Sequence, residues 1–162
     1  MGPAHLGVAF AIKPLAPKVP LWALLVASET LDLLSFIFMP LGIEVNAVSE
    51  TSWEHGVIIQ KPAFVPWSHG LTMSVVWSLI VGFIAYLFSR DRKSSVIVSL
   101  VVFSHWLLDF FVHPGLPLFF DNTRKVGLGL WMSRPGLIAS IVLEIGLLLG
   151  GIIVYAIWMR KR

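Results

Sequence analysis

The 162-residue chain is 57% hydrophobic and only 13% charged, where a water-soluble domain carries about 25% charged residues. With a mean hydropathy of +0.85 it has too little polar surface to face water on all sides, so lipid is expected to cover much of it. The absence of cysteine excludes disulfides, thiolate metal sites and cysteine nucleophiles, and the net charge of +3 sits at helix ends, which argues for membrane orientation and against nucleic acid.

The chain opens on a short apolar piece, residues 5–12, closed off by Pro14, Pro17 and Pro20. It is too short to span a bilayer and is expected to lie at the interface or to re-enter the bundle. No basic residue precedes it and no small-residue cleavage site follows, so it does not read as a signal peptide. A hydrocarbon layer of about 30 Å takes about 20 apolar residues of helix. Four segments meet that length, at about 20–43, 66–89, 95–120 and 136–159. The expected fold is all-α, a single domain over 1–162 built as a bundle of about four transmembrane helices.

Eight of the twelve basic residues fall on one side of this topology: Lys13, Lys18, Arg90, Arg92, Lys93, Arg160, Lys161 and Arg162. Lys61, Arg124, Lys125 and Arg134 fall on the other. The positive-inside rule then predicts a multi-pass protein of the cell's inner (plasma) membrane with both termini cytoplasmic. Trp22, Trp67, Trp131 and Trp158 lie near span ends, as in an aromatic belt.

Ionisable residues inside the spans carry the chemical information, because each costs a few kcal/mol in hydrocarbon and must find a partner. Glu29 and Asp32 are three apart in the first span and share a helix face. His69 lies near the outer end of the second. His105, Asp109 and His113 recur every four residues in the third, each step turning only about 40°. Glu144 lies eight residues into the fourth. All seven fall between the mid-plane and the outer leaflet. Imidazole with carboxylate suits a divalent metal: zinc, manganese or non-haem iron. The same residues also suit a proton relay or interhelical hydrogen bonds. His5 joins the set if the N-terminal piece enters the bundle, whereas His55 reads as a solvated loop residue. Arg124, Lys125 and Arg134 lie in the 121–135 loop, placed to receive an anionic headgroup or to anchor at the interface.

The segments Ala4-His5-Leu6-Gly7, Glu29-Thr30-Leu31-Asp32, Ser68-His69-Gly70-Leu71-Thr72 and Ser104-His105-Trp106-Leu107-Leu108-Asp109 resemble a family of bacterial and archaeal inner-membrane metal-dependent hydrolases. It is the YdjM-like family, which includes a LexA-regulated membrane protein. The resemblance implies that His5, Asp32, His69, His105 and Asp109 are the matching residues. The chain departs from the family pattern at Glu29, whose spacing differs from that of the expected aspartate, and at Met73, which stands where a second histidine is expected on the helix of His69. The segment from Lys125 to Trp131 resembles a feature of a subgroup of these proteins.

The leading expectation is therefore a membrane-embedded metal-dependent hydrolase acting on a lipid or lipid-linked ester or phosphoester near the outer leaflet. Asp32, His69, His105, Asp109, His113 and His5 are its candidate metal ligands. Glu29 and Glu144 are its candidate catalytic carboxylates, and Arg124, Lys125 and Arg134 its candidate substrate-binding residues. Two alternatives stay open: a small transporter or proton-relay protein, which would need homo-oligomers to enclose water, and a non-catalytic subunit of a larger membrane complex.

Overall fold

A computed structural model of the chain describes residues 2–45, 52–54, 57–59, 63–121 and 123–162. His55 and Lys61 lie outside the described residues. Six helices dominate: α1 (Gly2–Ile12), α2 (Leu21–Ser28), α3 (Thr30–Phe38), α4 (Leu71–Ser89), α5 (Arg92–Val112) and α6 (Arg134–Arg160). Two small antiparallel hairpins pair β1 (Ser52–Glu54) with β2 (Val57–Ile59), and β3 (Leu116–Pro117) with β4 (Lys125–Val126). α4, α5 and α6 are each long and apolar enough to cross a membrane, and α2 with α3 makes a fourth candidate, bent by 55° at the break.

Local chemistry sets the helix ends. The side chain of Asp91 caps α5 by accepting from the Ser94 N–H at 3.1 Å, and that of Ser133 caps α6 by accepting from the Gly136 N–H at 3.2 Å. The Ser94 hydroxyl and N–H, with Lys18 beyond them, hold the Asp91 carboxyl below the usual carboxylate range. The second span begins as helix at Leu71 and not at Pro66, because 66–70 forms a tight turn in which a Cβ on Gly70 would overlap the Pro66 carbonyl. The third span ends at Val112 and not at Phe120. Pro114 forces the extended backbone seen at His113 (ψ 138°), and the chain then enters β3.

The first span is not one continuous helix. It breaks at Glu29 (φ −100°, ψ 6°), where the Ser28 hydroxyl turns back to the Leu25 carbonyl at 2.8 Å and the Thr30 hydroxyl to the Val26 carbonyl at 3.1 Å. Such back-bonding bends helices. A break inside an apolar span is tolerated only where the freed backbone groups find partners. Here the Ser28 carbonyl accepts from a ring nitrogen of His105, at 2.7 Å. Glu29 and Asp32 are consequently not three residues apart on one regular helix: Glu29 is the hinge and Asp32 lies in the first turn of α3.

The N-terminal piece is inside the bundle. α1 runs parallel to α6, with Ala4 against Leu147, Gly7 against the Leu147–Leu148 backbone, Phe10 facing Tyr155 and Lys13 over the Trp158 ring. Its far end joins the basic face of the molecule, where Lys18 pairs with Asp91 at 3.4 Å and Arg162 stacks on Trp158. Its Gly2 end reaches the level of Val112 and Trp131. The main core lies between the first span and α5, with Leu24, Ala27 and Leu31 packed on Val98, Val101, Val102 and Trp106. The outward faces stay apolar, including Leu79, Phe83, Phe88, Ile138, Val142 and Ile153.

Candidate metal centre

Four separate pieces of chain bring the site together. α5 supplies His105 and Asp109, one turn apart, and His113 just past its end. α1 inserts His5, which is fully buried with its ring stacked on that of His105 at 3.6 Å and 6°. The broken first span supplies Asp32, and the turn before α4 supplies His69.

The reactive atoms converge. His69 Nε2 lies 3.2 Å from Asp32 Oδ1 and 3.5 Å from Asp109 Oδ2. His105 Nε2 lies 3.6 Å from Asp32 Oδ1 and 3.5 Å from Asp109 Oδ2. Four donors bound tetrahedrally to an ion at 2.0–2.2 Å stand about 3.3–3.6 Å from one another. The four measured separations fall on or just below that range. Two three-residue sets, His5 with Asp32 and His105, and His69 with His105 and Asp109, each have ligand atoms within 4.8 Å of one another. The second oxygen of Asp109 faces His5 Nε2 at 3.4 Å and His113 Nε2 at 3.8 Å.

Which ring nitrogens bear protons follows from their other partners. A carbonyl only accepts, so the 2.7 Å contact of His105 Nδ1 with the Ser28 carbonyl requires Nδ1–H and directs Nε2 at the carboxylates. Among the described residues His105 Nε2 and both ring nitrogens of His5 are buried with no well-formed hydrogen bond, and carboxylate oxygens of Asp109 and Asp32 stand 3.4–3.6 Å from the two Nε2 atoms. Ring nitrogens thus face carboxylate oxygens across a gap of ion-ligand size, an arrangement held together either by a divalent cation between them or by protons on the rings. The side chain of Asp109 is 3% exposed and that of Asp32 is 40% exposed, so the centre is closed beneath and open on the Asp32 side.

The remaining candidates are placed as follows. Glu29 sits at the helix break with a buried Oε1 that has no hydrogen-bond partner among the described residues, near enough to feel the charges of His105, Asp32 and Asp109. Glu144 is buried on α6, outside the two converging sets. Arg124 and Arg134 are exposed, and the Lys125 amine reaches to 3.5 Å from the Ala63 carbonyl. Their segment folds over the end of α5. Gly127, at φ +136°, lies directly on the His113 and Phe110 carbonyls, Leu128 donates its N–H to the Phe110 carbonyl at 2.8 Å, and Trp131 stacks edge-on against His113. His69 lies in the turn that precedes Leu71, so the one-turn helical relation expected between His69 and Met73 does not hold.

Sequence reasoning passed over Glu44, Ser35 and Ser68. Glu44 is 2% exposed and accepts the Trp67 and Ser68 N–H groups at 2.9 and 2.8 Å and the Ser68 hydroxyl at 2.7 Å. The hydroxyls of Ser68 and Ser35 in turn lie 2.8 and 3.2 Å from His69 Nδ1. The signal present in the sequence was the Ser68-His69 pair and the three-residue step from Asp32 to Ser35; nothing marked Glu44 apart from other loop acids. No family model, curated protein or solved structure matches this chain.

Proposed function

We propose that the chain is a membrane-embedded, metal-dependent hydrolase of the inner membrane, acting on an ester or phosphoester of a lipid or lipid-linked substrate. The observation that carries this reading is the set of two imidazole and two carboxylate donors spaced as around one ion. His69, His105 and Asp109 form its buried floor, and Asp32 is the exposed corner at which water and substrate enter. A mixed nitrogen and oxygen set suits zinc or manganese. Such an ion supplies Lewis-acid activation of water and of the scissile ester oxygen. Glu29, with its unpaired buried oxygen, is placed to take a proton at the hinge. Arg124, Lys125 and Arg134 provide cationic groups on the segment above, suited to an anionic headgroup. The resemblance to the YdjM-like family agrees with this reading.

Protein purified in detergent is expected to carry about one zinc or manganese per chain and to release a water-soluble headgroup from lipid vesicles in a chelator-sensitive way. Metal-free, correctly folded protein that instead conducts protons as pH is stepped would favour the relay, in which the same histidines hold protons between Asp32 and Asp109. In the membrane the basic face, with Lys13, Lys18, Arg92 and Arg162, is assigned to the cytoplasm. The chain lacks cysteine, so a cysteine at Thr123 should react with an impermeant reagent in intact cells and one at Lys93 should not. The reverse pattern would invert the topology.

A further inference from the structure

We infer that Glu44 is a positioning residue for His69: through two serine hydroxyls its carboxylate decides which ring nitrogen keeps its proton, and therefore which one faces the ligand pocket. The inference rests on the metal-centre reading above and deepens it.

The argument is one of hydrogen-bond direction. Glu44 is brought to the turn at 66–69 by a two-bond bridge, Val45 N–H to the Phe64 carbonyl at 3.0 Å and Phe64 N–H to the Val45 carbonyl at 2.9 Å. Its Oε1 accepts the Trp67 and Ser68 N–H groups, a role that a purely structural residue would also fill. Its Oε2 is used differently, on hydroxyls beside His69. A carboxylate has no proton to give. The Ser68 hydroxyl, 2.7 Å away, must therefore donate to Glu44. Having spent its only proton, Ser68 Oγ can only accept, and it does so from His69 Nδ1 at 2.8 Å, while the Ser35 hydroxyl donates to Ser68 Oγ at 2.6 Å or to Glu44 Oε2 at 3.3 Å. His69 Nδ1 then carries the hydrogen, and in the neutral ring the Nε2 lone pair points at Asp32 Oδ1, 3.2 Å away, and Asp109 Oδ2, 3.5 Å away, a contact satisfied by an ion between them or by a second proton on the ring. The group that cannot donate sets the direction of the whole chain. Glu44 thus does for His69 what the Ser28 carbonyl does for His105. Such outer partners orient metal-bound histidines and fix their tautomer.

Glu44→Gln tests this. The glutamine carbonyl can still accept from both N–H groups of the turn, but its amide now donates to Ser68 Oγ. The Ser68 proton must turn elsewhere, and His69 Nδ1 is within reach. In zinc-free protein labelled with nitrogen-15 at histidine and studied in alkaline buffer, His69 should move from Nδ1–H towards Nε2–H relative to wild type. Zinc affinity, read by chelator competition, should fall about 10- to 100-fold with the thermal melt of the zinc-free protein nearly unchanged. A Ser35→Ala, Ser68→Ala double variant keeps the backbone bonds to Glu44 and removes the route to the ring, so it should show the same shift in tautomer. If His69 keeps its wild-type tautomer in both variants, Glu44 does not position it and the inference fails, whatever zinc does. If the tautomer moves but wild type binds no zinc, the positioning stands and the metal reading fails.

Discussion

Replacing His105 or Asp109 with alanine is expected to remove nearly all bound metal, with affinity falling by more than about 100-fold, beyond the loss usual for an outer-shell change. Asp109 is the group on which the centre is built: His69 and His105 approach one of its oxygens, His5 and His113 the other. Its removal deprives both sides at once. His105→Ala does double damage, because the ring also satisfies the Ser28 carbonyl at the break of the first span. A buried acceptor left without a partner costs about 1–3 kcal/mol, so this variant should melt lower even without metal. Glu144→Ala, outside the converging sets, should keep its metal. Metal analysis with thermal melting of the detergent-purified variants checks all three. Full retention by a folded His105→Ala protein would remove the ligand assignment.

A single methyl group at the α1–α6 contact should have the largest effect on the fold. A Cβ added at Gly7 would overlap the Leu147 carbonyl, and one added at Gly151 would overlap the Gly7 carbonyl. Close approach through glycine is how apolar helices pack where lipid offers them no hydrophobic reason to associate. Gly7→Ala and Gly151→Ala should each cost about 1–3 kcal/mol, the usual range for overpacking, and should draw His5 away from Asp109. Gly146→Ala and Gly150→Ala are the internal controls. They lie on the same helix with nothing within 4 Å of the new atom, so the better helix propensity of alanine should leave stability unchanged or raise it by up to about 1 kcal/mol. Equal melting temperatures for all four variants would mean that α1 does not dock on α6 in this way.

Much of the centre could be read from the sequence because its signals are local. The four-residue step from His105 to Asp109 places both on one stripe of one helix, and mid-span charges demand partners wherever they lie. The long apolar runs gave three helices directly. What the sequence concealed depends on contacts between distant residues. The break at Glu29 is compensated by a ring 77 residues from Ser28, so no local pattern announces it. The depth of α1 rests on glycines that read as unremarkable until Leu147 is placed beside them. Glu44 looks like any loop acid until the Val45–Phe64 bridge folds it over Ser68. The end of the third span was the exception: His113-Pro114 marked the stop locally, and only its apolar surroundings argued for running on.

The pairing of α1 with α6 joins segments far apart in the chain, with Gly7 lying against Leu147 and Gly151. A ribosome makes the helix of His5 well before its docking surface on α6, so that helix must wait for the intervening elements before it can settle. Contacts of such large sequence separation close late, after local ones have formed. His69, His105 and Asp109 belong to elements finished earlier. Assembly of the centre is thereby ordered: three of its groups can gather before α6 exists, and the imidazole of His5 joins them only after α6 has followed.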